Sequence, residues 1–525
     1  MNIEITAEYS HIFGVPIPML SELLKDDVSF GDLITLSMLS WRQRDPRLAE
    51  WVIANANKKV FDDLYLRKMI FNKRPSSYIT WINLLSATIN PIKLDKFNIN
   101  NHMEKIAKLL TLTNEKEKEL EDNEGYLVNN LLYNYRDNPL YQFYRTYETI
   151  INCNELVKYK EKFHKIYGVD VSLYICICHI ISTTYMRNEN ENRPLAWILD
   201  INSLARHTGF TLEDVKKVME MISFKQEDCV THATTKDEFN QLNFNFFRNT
   251  PFLKIDDDKF LPIEGKIVQE LVFTNLYYRL MACTEDEMEF RREFGNVFES
   301  YITKLIHYAC ENSSTFNYHH INEFHYGHKK GNKSSDSYIY FHDHTINKDI
   351  VVVFEVKSAT ILDSVRRIND VNNPIIESIE KTITKPLRQQ IKATQNIINR
   401  NEHKEINIDK FYYFVAVTQD GFPLPPNEHP KKIDLKRNPK LQVAGLHSIP
   451  LEAFEILINL ISHNLPVPLS YLLEDHRNFH SNISFKTYLA RTKKKYSFEN
   501  KKLDDIVYTS QKVISNYTDR YQAIK

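Results

Sequence analysis

Glu355, Val356 and Lys357 close an unbroken apolar run, Ile350 to Phe354, rich in β-branched residues. Such a run reads as a strand buried on both faces. Residues two apart in a strand project to one face, so Glu355 and Lys357 point the same way. A carboxylate and an ammonium group at the end of a core strand cost free energy unless they pair or hold a metal. That cost marks them as candidates for chemistry. The segment upstream offers Asp336 and Asp343. Asp343, His344, Asn347 and Lys348 suit a hairpin turn. With the turn centred between Thr345 and Ile346, Asp336 stands directly across from Glu355, about 5 Å away in an antiparallel pair. Asp343 would then lie roughly 23 Å from Glu355, at ~3.3 Å per residue. Asp336, Glu355 and Lys357 are therefore expected at the site, and Asp343 in the turn.

The elements that must position these groups follow from periodicity. EDEMEFRREFGNVFESYITKLIHYAC, from about 284, is an amphipathic helix. Strands are expected at about 315–325, 336–342 and 349–357, a helix at about 378–400, and a strand, FYYFVAVT, at 411–418. The order is αβββαβ, followed by a small α/β segment that includes VAGLHSIPLEAFEILINLI.

The D…ExK triad in this element order resembles the PD-(D/E)XK, restriction-endonuclease-like, nuclease superfamily over roughly residues 285–420. One departure is Ser335, where the motif carries proline before the first acid. The resemblance implies Mg²⁺, with Mn²⁺ as a substitute, held by Asp336, Glu355 and the Val356 carbonyl through hard oxygen ligands. The ion would polarise the scissile phosphate, and Lys357 would orient or deprotonate the attacking water. Superfamily members often carry an acid on the first core helix. Glu299 is the residue here, flanked by packing positions Phe298, Ile302 and Leu305, and a surface glutamate is the competing reading. A glutamine on the helix after ExK maps to Gln390, with Gln389 as competitor. The implied function is a magnesium-dependent endonuclease that hydrolyses phosphodiester bonds of DNA, in restriction or anti-phage defence. DNA is the expected partner, and beyond it a protein from a neighbouring gene or a second copy of the chain. The rival function is a catalytically silent nuclease-fold protein that binds nucleic acid or a protein partner.

The rest of the chain sets limits. Its 525 residues suggest two to four domains. The expected fold is multidomain α+β: a helical region at 1–190, a winged-helix-like unit at 191–283, the nuclease domain at 284–465 and a basic C-terminal tail at 466–525. The helical reading rests on spacings such as Leu33, Leu36 and Leu39, or Leu127, Leu131 and Leu132. TNEKEKELEDN reads as a solvated face or linker, and LLYNYRDNPLYQFYRTYETI as core rather than a base-stacking surface. AWILDINSLARHTGFTLEDVKKVMEMIS reads as two short helices about a turn at Gly209, with Thr211 capping the second. A β-hairpin turning at Asp256–Asp258 would be its wing.

Net charge is −1, so nucleic-acid binding must rest on local basic surface. Beyond Ser484, ten basic residues stand against four acidic ones, the best local candidate. Only 11 glycines, without Walker or GxGxxG spacing, disfavour a nucleotide-binding loop. The six cysteines lack zinc-site spacing, and Cys176, Cys178 and His179 read as a buried helix. His319, His320, His325, His328, His342 and His344 read as loop and strand surface rather than a zinc site. No signal peptide is expected in MNIEITAEYS, and no run approaches the ~20 apolar residues of a membrane span, so a cytoplasmic location is expected.

Overall fold

The computed structural model describes residues 6–495 except 25–27, 42–44, 56–61, 117–137, 189–196, 236–244, 329–330, 359–371, 420–440 and 482, together with residue 512. The chain is mixed α+β. Up to Asn188 it is mainly helical, with long helices at Asn100–Lys116 and Val171–Asn188. Strand pairing there, among the described residues, is a two-residue parallel ladder of Val28–Ser29 with Ile89–Asn90 and a Thr6–Ile70 bridge. Cys176, Cys178 and His179 are buried in Val171–Asn188. Burial pushes the His179 imidazole down to about 4, as suits a neutral core side chain against Phe143. Of the aromatic segment, residues 131–137 lie outside the described residues, and the helix Pro139–Thr146 buries Tyr141 and Phe143. Among the described residues no single helix is long and apolar enough to cross a membrane.

Helices Ile201–Thr208 and Leu212–Ile222 flank Gly209, whose φ of 78° suits glycine. Thr211 caps the second helix by accepting the Asp214 N–H. Strands Phe252–Lys254 and Lys259–Pro262 pair antiparallel within a four-stranded sheet. The segment before this hairpin, Asn245–Asn249, is helical. The second helix turns Val215, Val218, Met219 and Ile222 inward.

The C-terminal module begins with α1 (Glu287–Asn312), then β1 (His319–Asn322), β2 (Ser337–Asp343) and β3 (Lys348–Lys357). Helix Asn372–Ile379 runs through a π-helical turn, Glu380–Thr384, into α2 (Lys385–Arg400). β4 (Phe411–Thr418), β5 (Gln442–Pro450), α3 (Leu451–Ser462), α4 (Leu469–Phe479) and α5 (Phe485–Lys495) follow. The sheet order is β5-β4-β3-β2-β1, antiparallel from β1 to β3 and parallel from β3 to β5. The central strand β3 is covered on both sides, which explains its unbroken apolar run. Val351 and Val353 pack with Leu387 and Ile391 of α2. Ile350, Val352 and Phe354 join the cluster containing Phe298 of α1 and Phe454 of α3.

The segment 466–525, expected as a basic tail, is part of the fold at least to Lys495. Its helices α4 and α5 bury Leu469, Leu472, Leu473, Phe485, Tyr488 and Leu489. Apolar positions at helical spacing outweigh the basic residues between them. The basic stretch from 496 onward lies outside the described residues apart from Lys512. A buried ion pair ties the helical region to the module. Arg145 makes bidentate contact with Glu455 of α3 at 3.0 and 2.8 Å, and Tyr301 of α1 donates to the same carboxylate at 2.8 Å.

Candidate metal centre

One face of the sheet changes chemistry at its end. Ile321 pairs with Tyr338, and Tyr338 with Val353, and all three join the apolar cluster under α2. At this end come Glu323, just past β1, Asp336, just before β2, and Glu355, two residues beyond Val353 in β3. The β2–β3 register pairs Ser337 with Phe354 and Asp343 with Lys348, so its centre lies between Thr345 and Ile346. Asp343 ends β2 and accepts from the Thr345 N–H and from the Ser470 hydroxyl, as a turn residue does.

Asp336 accepts a hydrogen bond from the Val356 N–H at 2.6 Å. The next carbonyl along, that of Lys357, turns to the Gln419 N–H beyond β4. Alternate peptide groups of a strand point opposite ways, so the Val356 carbonyl faces the Asp336 side. The chain also bulges there. Asn322 pairs with Ser337 and His325 with Lys333, so Glu323 and Phe324 face three residues, Ser334 to Asp336. Ser334 accepts the Phe324 N–H, and the Ser335 N–H donates to the Tyr338 hydroxyl at 2.9 Å. Proline at 335 would lack that donor.

Glu299 arrives from α1. Gly295, one turn earlier, brings the helix so close that a Cβ would lie 3.3 Å from the Ser358 hydroxyl, next to Lys357. One carboxylate oxygen from each of Glu299, Glu323 and Asp336 lies within 4.8 Å of the others. Glu355 stands outside that triplet and pairs with Lys357 at 2.8 Å. Glu323 pairs with Lys333 at 3.1 Å. These groups line a cavity of about 420 Å³, whose far wall carries Gln389, Lys392 and Asn396 of α2.

Electrostatics follow from burial and like charge. Burial, then Asp336 and Glu323, raise the Glu299 carboxyl to about 7. Burial and Asp336 raise Glu355 to about 7 as well, against the pull of Lys357. Burial also raises Asp336, while the Val356 N–H and Lys357 oppose it. Burial disfavours the Lys357 ammonium, but Glu355, Asp336 and Glu299 together more than offset this and its pKa rises. Four carboxylates thus share the cavity with two ammonium groups engaged to them, Lys333 and Lys357. With all four ionised and Lys392 counted on the far wall, the deficit is about one positive charge, and every donor is a hard oxygen. This set fits Mg²⁺ or Mn²⁺ rather than a thiolate- or imidazole-loving metal.

Asp336, Glu355, Lys357 and Glu299 therefore meet at one cavity. Gln390 does not: it is fully buried and donates to the Val415 carbonyl at 2.9 Å, while Gln389 lines the cavity. Gln390 falls on the sheet-facing stripe of α2 with Leu387 and Ile391, and Gln389 falls just beyond it. None of the six histidines lines the cavity. His320 contacts the Ser337 hydroxyl and His342 pairs with Asp349. Sequence reasoning missed Glu323, Lys333 and Lys392. Hairpin arithmetic alone misses Glu323 by one residue: the centre between Gly327 and Gly331 lies six residues from 323 and seven from 336, and the bulge takes up the difference. No protein-family model, curated protein or solved structure matches the chain.

Proposed function

We propose that the chain is a metal-dependent nuclease that hydrolyses phosphodiester bonds of DNA, built on a restriction-endonuclease-like αβββαβ core. The observation that carries this reading is the charge-deficient carboxylate cluster with a lysine at its edge and amide and ammonium groups opposite. Asp336, Glu355, Glu299 and Glu323, with the Val356 carbonyl, would hold Mg²⁺ or Mn²⁺. Such an ion polarises a phosphate and lowers the pKa of a bound water. Lys357, 2.8 Å from Glu355, would orient the attacking water and offset charge developing on the phosphate. Lys392 and Gln389 place the phosphate oxygens from the opposite wall. Restriction or anti-phage defence, with a partner protein or a second copy, is the biological setting proposed with this activity.

The test is a cleavage panel over duplex DNA, single-stranded DNA and RNA, with Mg²⁺, with Mn²⁺ and with chelator. Metal-dependent DNA cleavage lost in Asp336→Asn is the expected result. An intact protein that cuts nothing under any of these conditions sinks the reading and leaves the non-cutting binding protein.

A further inference from the structure

We propose that the outer face of α2 and the helical turn before it is a phosphate track that holds the substrate strand on one side of the scissile bond. This rests on the nuclease reading and extends it to how the substrate lies. The exposed positions of this helical stretch, outside its buried stripe, include Lys381, Lys385, Arg388, Gln389 and Lys392. Gln389 and Lys392 already line the cavity. Arg388, Lys385 and Lys381 continue the same face away from it, one helical turn after another. From Lys381 to Asn396 the face runs about 22 Å at ~1.5 Å per residue, comparable to the axial length of about six nucleotides at ~3.4 Å each.

An ordinary solvated helix face offers a competing account, and other helices of this chain show what one looks like. Lys108 pairs with Glu104, Lys217 with Glu213 and Arg291 with Glu287, each at i,i+4 spacing. On the α2 face only Arg388 has an acidic partner, Glu380 at 2.7 Å. Lys381, Lys385 and Lys392 have none among the described residues. Unpaired cations in a row, continuous with a cavity built to take a phosphate, fit a polyanionic strand. The second helix of the winged-helix-like unit is the weaker candidate, since Lys217 is already tied to Glu213.

The experiment measures binding rather than cleavage. Labelled single-stranded and duplex DNA are titrated into the full chain over a range of salt, with chelator and again with Ca²⁺. The triple variant Lys381→Gln, Lys385→Gln, Arg388→Gln leaves the cavity residues untouched. The slope of log affinity against log salt should fall by roughly two for a single strand and by nearly three for a duplex. A control pair on an exposed helix of the N-terminal region, Lys162→Gln with Lys165→Gln, should leave the slope unchanged. An unaltered slope in the triple variant, or an equal change per charge in the control, overturns the track. Absence of cleavage by the wild type with Mg²⁺ would instead count against the nuclease reading, and the binding slopes would still decide the track.

Discussion

Asp336 accepts its hydrogen bond from the backbone N–H of Val356, the residue between Glu355 and Lys357. One contact thereby fixes the upstream acid to the middle of the downstream motif, across two antiparallel strands. The carboxylate is held by backbone, so its place does not depend on a flexible partner side chain. Asp336→Asn should keep the fold and lower metal-dependent cleavage by at least ~100-fold, because a preorganised ligand for the ion is lost. Cleavage of duplex DNA beside a circular dichroism melt checks both halves. Cleavage near the wild-type rate would remove Asp336 from the site.

Tyr338 supports the same corner from below. Its hydroxyl accepts the Ser335 N–H, and Ser335 is only 1% exposed. Tyr338→Phe leaves that buried N–H without its partner and should cost about 1–3 kcal/mol of stability. The bulge from Ser334 to Asp336 should loosen with it, so metal affinity should fall as well. Thermal melts and calorimetric Mg²⁺ titration read the two effects separately. An unchanged melt would show that water satisfies the Ser335 N–H.

The β2–β3 hairpin was legible because each residue carried the same message. An apolar run fixed β3, turn-forming residues fixed its start, and period-two alternation put Glu355 and Lys357 on one face. The first hairpin hid Glu323 for a physical reason. A bulge breaks the alternation after Asn322, and β1 is only four residues long. Gln390 was misplaced because an amphipathic stripe predicts burial only to within its edge, and the boundary fell between two adjacent glutamines. Between Ser484 and Lys495 the basic composition concealed a buried helix, since a few apolar residues at helical spacing suffice to dock it.

The cluster should make metal-free stability fall with rising pH. Glu299 and Glu355 stand at about 7 in the fold, raised first by burial and then by neighbouring acids, against an ordinary value of 4.5. Between those values the folded chain holds protons that the unfolded chain has released, so stability drops as pH climbs through this window. Glu299→Gln should flatten the decline and raise metal-free stability near pH 8 by on the order of 1 kcal/mol, allowing for solvent screening. Mg²⁺ should stabilise the wild type most above about pH 7, where the carboxylates are ionised. Chelator melts across this range check the sign, and a metal-free melt that rises with pH would contradict it.

The Arg145–Glu455 pair predicts an asymmetry between single and double substitution. Both side chains are nearly fully buried, at 1% and 4% exposure. Glu455→Ala takes the carboxylate from a buried guanidinium and should cost about 3–5 kcal/mol. Replacing both partners by methionine should cost far less, because no unpaired charge remains. Denaturant unfolding of the three proteins checks this, and equal losses would assign the cost to packing around Tyr301 instead.

Lys357 and Glu355 separate holding the metal from using it. Under the proposed function, Glu355→Ala removes a carboxylate that would hold the ion, so metal binding should weaken by about 10-fold or more and cleavage should be lost. The metal-free fold should change little in stability, since relief of repulsion with Asp336 offsets the lost contact with Lys357. Lys357→Ala keeps every carboxylate and removes the ammonium that engages Glu355. Metal binding should then persist or tighten, because a competing positive charge has gone, while cleavage falls by at least ~100-fold for want of the group acting on water and phosphate. Calorimetric titration of Mn²⁺ into both variants, beside cleavage with Mg²⁺, distinguishes the two roles. If Lys357→Ala cuts like the wild type, the lysine serves only to neutralise Glu355, and the attacking water must be oriented from elsewhere in the cavity. Lys392, on the opposite wall, would be the next residue to test.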